Sequence, residues 1–322
     1  MQLFAVERFP HLNLLVFGGI WPGDMSRTAL LLRRGSLLAV LLLASPVRAD
    51  DGVPFAARRS LALSLLFHAP FDDSADATLA KGDARLHWGP QWGAPRVVQP
   101  GLPPAGVSLA FLQGRYGGAL RFDRKIKEVV AFKAAGNVPY RQRNWQGSVS
   151  FWLRVNPDED LEPGYCDTIQ ITPKQWDNAA FFTEFTKDEQ PREFRLGAYA
   201  DPACWNPQNR KWDDMAFGEK PLIKVERPPF SRERWTHVAF TWEKFNTGKA
   251  NGITRLYLDG ELKGELSPRE QTWTWNPDET LVMLGLSYTG WMDDLAIFNK
   301  ALSAKEVTAL RNLPKGVAAL HR

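Results

Sequence analysis

Tryptophans set among amides and carboxylates are the side chains of this sequence best placed to do chemistry. Trp176, Trp205, Trp212, Trp273 and Trp275 fall in or beside stretches rich in Asn, Asp, Gln and Pro. An exposed indole stacks on the apolar face of a sugar ring, while neighbouring amides and carboxylates hold the hydroxyls. Cys204-Trp205-Asn206-Pro207 and Trp212-Asp213-Asp214 are the runs that best combine the two. The candidate ligand patch is therefore Trp176, Trp205, Asn206, Trp212 and Asp213, and burial under their own loops is the competing reading. Trp152, Trp235 and Trp242 lie in strand-like segments and read as core.

Carboxylates and thiols supply the other candidates. Asp293 has the parity of Leu295 and Ile297, so strict alternation turns it toward the core near the start of its strand. A carboxylate there needs partners, because an unpaired buried charge is very costly. One solution is a calcium ion shared with Asp72 and Asp73 in the first turn, since calcium takes hard oxygen ligands. The other is acceptance of backbone N–H groups from a neighbouring loop. Cys166 and Cys204 are the two cysteines. In an oxidising compartment they could close a loop of about 39 residues, worth roughly 4 kcal/mol by chain entropy. No His pair accompanies them as a zinc site requires. Catalytic signatures are missing: there is no Gly-x-Ser-x-Gly elbow, no His-Glu-x-x-His and no phosphate loop. Five His in the whole chain leave little acid–base material, and His237 sits in a strand as a structural group.

The elements that position these residues are short strands and turns. The 44% hydrophobic fraction is ample for a core, and 23 Pro with 25 Gly suit many strands joined by turns. The +4 formal charge is concentrated early: residues 1–49 hold five basic groups against two acidic ones, which leaves the rest near +1. No basic stripe with interleaved aromatics appears, so nucleic acid is not an expected partner. From Met25 the pattern is that of an export leader, with Arg27, Arg33 and Arg34, the apolar run Leu37 to Ala44, Pro46, and cleavage after Ala49. That run is too short to span a bilayer in the mature protein. The expected location is outside the cytoplasm: periplasmic, envelope-associated or extracellular. Residues 50–60 read as a linker and 314–322 as a tail around one domain over 61–313.

Within that domain, Leu61, Leu63, Leu65 and Phe67 alternate as a first strand, and Val149, Phe151, Leu153 and Val155 alternate most clearly. Trp235 to Trp242, Leu281 to Leu286 and Asp293 to Phe298 are further strands. Asp259-Gly260 predicts a tight hairpin turn. Residues 156–180 and 200–230 read as long insertions between strands. Ser303 and Glu306 form a capping box that opens one closing helix. Many short strands point to an all-β, antiparallel two-sheet sandwich with one short C-terminal helix.

Five segments in order carry a resemblance: Tyr116 to Phe122, Ser148 to Leu153, Trp235 to Ala239, Leu256 to Gly260, and Gly290 to Phe298 running into Ala301-Leu302-Ser303. Over residues 61–313 the chain resembles the laminin-G-like, concanavalin A-like lectin/glucanase jelly rolls of secreted bacterial proteins. The resemblance implies two stacked antiparallel sheets with sites at loops or on a concave face. It implies a recognition module for carbohydrate or cell-surface partners more often than an enzyme, and it permits a structural calcium. The alternatives are a glycan hydrolase or lyase on the same fold, and a protein-interaction or envelope-scaffolding domain. The Glu-x-Asp-x-x-Glu run of the family's hydrolases is missing, and Thr183-Glu184-Phe185-Thr186 offers a single Glu. Arg192-Glu193-Phe194-Arg195 echoes one strand of alginate-lyase-like jelly rolls. Ile169-Gln170-Ile171, however, precedes it and lacks their His. The expectation is a non-catalytic module.

Overall fold

The computed structural model describes residues 52–93, 96–187 and 189–321. The expected leader, with its start at Met25 and cleavage after Ala49, lies outside the described residues. Two antiparallel sheets build the domain. The nine-stranded sheet runs, edge to edge, through Glu261–Arg269, Gly252–Leu258, Thr236–Phe245, Trp145–Arg154, Gly290–Phe298, Leu65–Ala69 and Leu79–Ala80. The short strands Val107–Leu109 and Leu120–Phe122 join it at Gly290–Phe298. The eight-stranded sheet runs through Leu222–Val225, Phe194–Tyr199, Ala180–Phe185, Cys166–Thr172, Leu281–Leu286, Val129–Lys133, His87–Gly89 and Gln99–Pro100. The all-β antiparallel sandwich expected from the alternation is the fold observed.

Period-two alternation explains the core. Val149, Phe151 and Leu153 from one sheet meet Phe181, Phe185 and Leu196 from the other in a single apolar cluster. Trp145 lies fully buried at its centre, with ring centroids 5.3 Å from Trp242, 5.5 Å from Trp273 and 4.9 Å from Trp275. Trp273 and Trp275, placed by their polar neighbours among the exposed indoles, are core residues. Trp273 donates its indole N–H to Gln271 and Trp275 to the Ala179 carbonyl. Asp259 and Gly260 adopt φ of 52° and 83°, the pair of positive angles that closes the hairpin between Leu258 and Glu261.

Four sequence-based expectations are corrected by the packing. Leu61 to Ser64 end a helix, Phe55–Ser64, and the first strand starts at Leu65. Leu61 is buried and Leu63 exposed because helical, not strand, spacing sets which residues face inward there. The expected linker and tail are packed structure: Val53, Leu61, Val307, Leu310, Val317 and Leu320 form one cluster with Phe298 and Tyr257 on the outer face of the nine-stranded sheet. The presumed insertions carry sheet strands, Cys166–Thr172 in the first and Leu222–Val225 in the second. Finally, Cys166 and Cys204 are both free. Cys166 pairs with Phe185 at one end of the Ala180–Phe185 strand, whereas Cys204 follows Tyr199, which pairs with Ala180 at the other end. That strand alone sets Cys166 about 16 Å from the level of Tyr199. The capping box forms as read, with Ser303 Oγ accepting the Glu306 N–H and Glu306 Oε2 accepting the Ser303 N–H.

Candidate functional site

Both sheets have an outer face, but only one is open. The helices Phe55–Ser64 and Ala304–Arg311 cover that of the nine-stranded sheet. On the eight-stranded sheet, Val98 covers Val129, Ala131, Leu281 and Met283, while the remaining strands floor a cleft of about 500 Å³. This is within the usual range for small-ligand sites.

The floor is a polar row running across three strands. Asp167 pairs with Glu184, and Glu184 pairs with Arg195. Asp167 reaches this face through a β-bulge. The ladder passes from Thr183 opposite Ile169 directly to Glu184 opposite Asp167, leaving Thr168 as the extra residue. Strict alternation would have sent Asp167 into the core beside Ile169 and Ile171. The next strand makes the same flip at Gly285, φ 65°, so Leu284 faces the core and Leu286 lines the cleft. Gln170, opposite Phe182, extends the polar floor.

Charge within the row is internally balanced. Arg195 Nε donates to Glu184 Oε1 at 3.0 Å, and its Nη2 forms a second, short contact to the same oxygen. Asp167 and Glu184 stand side by side on adjacent strands. Burial, then the adjacent Glu184 charge, push the Asp167 carboxyl well above the usual carboxylate range. Burial raises the Glu184 carboxyl as well, but the Arg195 guanidinium beside it favours its charged form, so of the two acids Asp167 is the one held more strongly toward its neutral form. Arg195 also lies 5.0 Å from the Tyr165 ring centroid.

Aromatic rings wall the cleft. Phe182 and Tyr199 stack at 5.5 Å, which is possible because Gly197 lies between them on the floor: a Cβ there would fall 2.3 Å from the Phe182 ring. Trp176, 44% exposed, stands edge-on to Tyr199 at 5.5 Å and to Trp212 at 5.9 Å. Lys220 Nζ sits 4.2 Å from the Trp212 ring. Tyr199 is fully buried, lines the cleft, and has no hydrogen-bond partner for its hydroxyl among the described residues.

Of the five residues proposed as a ligand patch, the structure brings Trp176, Trp212 and Asp213 to this cleft. Trp205 packs under it against Tyr199 and donates its indole N–H to the Asp177 carbonyl. Asn206 is occupied within its own loop by the Arg210 N–H and carbonyl. Sequence reasoning missed Asp167, Gln170, Tyr199 and the pairing of Glu184 with Arg195. His237 is a buried structural group: Nε2 lies 2.8 Å from Ser150 Oγ, and burial lowers its pKa to about 3.

Of the residues singled out as calcium ligands, Asp72 and Asp293 both hold the loop from Arg115 to Gly118. Asp293 pairs across the sheet with Trp152 instead of a core residue, because a bulge at Asp294, φ 54°, intervenes before Ala296. It consequently stands on the outer face, where Oδ2 accepts the Arg115 and Tyr116 N–H groups at 2.6 and 3.0 Å. Asp72 accepts the Gly118 N–H, and Asp73 is exposed. Among the described residues no group of three or more His, Cys, Asp or Glu side chains could hold a metal ion. Burial, followed by the Asp294 charge, pushes Asp293 up to about 8, and its Oδ1 has no partner among the described residues. The unfolded chain releases this proton near pH 4, so native stability falls as pH rises from about 4 to about 8. Asp293→Asn is expected to flatten that decline, as read from melting temperatures at pH 5 and 8. An unchanged slope would show that Asp293 is ionised throughout.

The sequence profile of the concanavalin A-like lectin/glucanase superfamily matches residues 143–308. Among solved structures, the botulinum neurotoxin serotype D binding domain is similar at 15% identity and a TM-score of 0.50, covering 78% of this chain and 52% of that one. The receptor binding domain of the mosaic serotype C/D toxin is similar at 14% identity and a TM-score of 0.50, covering 78% and 51%. Domain 4 of AbnA, an extracellular arabinanase from Geobacillus stearothermophilus solved with arabinotriose, is similar at 16% identity and a TM-score of 0.47, covering 76% and 97%. The chain thus spans about half the length of the toxin domains, and at such identities the likeness is one of fold. No curated protein sequence matches the chain. With its profile match and its two-sheet architecture, the chain belongs to the concanavalin A-like lectin/glucanase superfamily.

Proposed function

We propose that the protein is an exported, non-catalytic carbohydrate-binding module that holds a glycan in the cleft of its eight-stranded sheet. One observation carries the reading: aromatic rings, two of them the partly exposed Trp176 and Trp212, surround a floor of hydrogen-bonding groups, Gln170, Asp167, Glu184 and Arg195. Sugar rings present this combination in reverse, with apolar C–H faces edged by hydroxyls.

The carboxyl geometry supports binding over hydrolysis. Glycosidases set two carboxyl groups about 5 Å apart to retain configuration, or roughly 6.5–9.5 Å apart to invert it. Asp167 and Glu184 are directly opposed on adjacent strands, and Glu184 Oε1 is already engaged by Arg195. Export is supported by the basic–apolar–small pattern from Met25 to Ala49. N-terminal sequencing of secreted protein tests it, and a mature start upstream of Met25 would refute it.

A glycan array probed with the mature protein, followed by titration of the best ligand, tests binding. Trp176→Ala and Trp212→Ala are each expected to weaken affinity roughly tenfold with little change in melting temperature, since both rings sit at the rim. Undiminished affinity in both variants would move the site elsewhere. Release of new reducing ends from any array polysaccharide would make the protein an enzyme.

A further inference from the structure

Taking the cleft as a glycan site, we propose that it selects uncharged, hydroxyl-rich saccharides, with Tyr199 Oη and the Asp167 carboxyl as the groups that a pair of sugar hydroxyls engages. The proposal rests on the binding function above and adds the chemical class of ligand.

Acidic sugars are disfavoured by what the floor already holds. Arg195, the only arginine lining the cleft among the described residues, directs Nε and Nη2 at Glu184, so its side-on fork is already taken by a carboxylate. With Glu184 balanced by Arg195, Asp213 adds negative charge to the same cleft, and a uronate or sulfate brought there meets like charge. Amino sugars gain little either, because Arg195 neutralises Glu184, and burial beside Glu184 favours the uncharged form of Asp167. An ammonium group would have to displace Arg195 or ionise Asp167. The neutral row is still rich in hydrogen bonding: a protonated carboxyl both donates and accepts, as a sugar hydroxyl does.

Tyr199 is the independent observation that points to a ligand. Its ring is held by Phe182 on one side and Trp205 on another in a residue that lines the cleft, and its hydroxyl is buried without a protein partner among the described residues. A buried unpaired hydroxyl destabilises a fold. Phenylalanine would pack in the same place without that penalty. A sugar hydroxyl in the cleft supplies the missing partner, which gives the tyrosine a purpose that packing does not.

The proposal is tested by calorimetric titration of the full chain with neutral cello-, xylo- and manno-oligosaccharides, oligogalacturonate and chitosan oligomers. A neutral oligosaccharide is expected to bind, with oligogalacturonate and chitosan at least about tenfold weaker. Tyr199→Phe should weaken the neutral ligand about tenfold, the size of one net hydrogen bond, while the melting temperature stays level or rises. A purely structural tyrosine would show the reverse. Asp167→Asn, a mimic of the protonated acid, should retain affinity and remove the loss of binding that the wild type shows as rising pH ionises Asp167. The groups facing Asp167 are Glu184 and Arg195 from neighbouring strands, with Tyr165 just ahead on its own and Leu286 opposite on the last. Tightest binding of the acidic or amino sugar, full affinity in Tyr199→Phe, or loss of binding in a folded Asp167→Asn protein would each overturn the selection while leaving a glycan site in place. If no glycan of any charge class binds, the binding function itself fails and this inference with it.

Discussion

Arg195→Ala is expected to abolish ligand binding and to destabilise the fold by about 3 kcal/mol, the cost of leaving one member of a nearly buried ion pair without its partner. The side chains of Arg195 and Glu184 are 14% and 8% exposed, so solvent does little to replace the lost guanidinium. Two carboxyl groups would then face each other with one cation fewer, and the cheapest response is for Glu184 to take up a proton. That response sets the sign of the pH dependence. Glu184 in the variant has a raised pKa relative to the unfolded chain, so the variant's deficit is smallest below the unfolded carboxyl pKa and grows as pH rises. Urea denaturation at pH 5 and pH 8 measures both effects. The second substitution Glu184→Gln removes the orphaned charge and should restore most of the stability without restoring binding. A deficit that is equal at the two pH values, or that Glu184→Gln fails to relieve, would mean that Arg195 acts through packing alone.

Sequence periodicity reached the sandwich but lost the site at two bulges. Val149, Phe151 and Leu153 alternate over a long, unbroken strand, so their face was plain from spacing. Asp167 and Asp293 each sit where one extra residue reverses the alternation, and both therefore stand on the face opposite to the one their parity implies. The strands that floor the cleft were hidden for another reason. Ala180–Phe185 and Leu281–Leu286 are buried on both faces, which erases the polar half of the alternation. Leu281–Leu286 was nevertheless found as an apolar run, whereas Cys166–Thr172 was hidden among the polar turns of a presumed insertion. The tryptophans divided by support: Trp273 and Trp275 look like loop indoles in sequence, yet Gln271 and the Ala179 carbonyl satisfy their N–H groups inside the core. Composition around a tryptophan says where its neighbours point, not where its ring does.

Gly285 is the backbone counterpart of the Thr168 bulge, and Gly285→Ala should cost roughly 2–4 kcal/mol and disorder the Asp167 side of the cleft. Two effects add. The residue has φ of 65°, where a side chain is strained, and a Cβ built there would fall 2.2 Å from the Phe122 ring. Phe122 is buried and packs edge-on against Tyr288 at 5.7 Å, so it cannot swing out to make room. Relief would come from the strand itself. Straightening at position 285 would return Leu286 toward the core and pull its partner Asp167 with it, since the two are paired across the sheet. Asp167 would then leave Glu184, and the neutral row would become a lone Glu184–Arg195 pair. The expected signature is a joint loss of stability in urea and of affinity for the neutral oligosaccharide. Adding Phe122→Ala should recover part of the affinity by removing the clash, even though it opens a core cavity of its own. Binding that survives Gly285→Ala unchanged would show that the flip at Gly285 does not position Asp167, and that the bulge at Thr168 suffices without it.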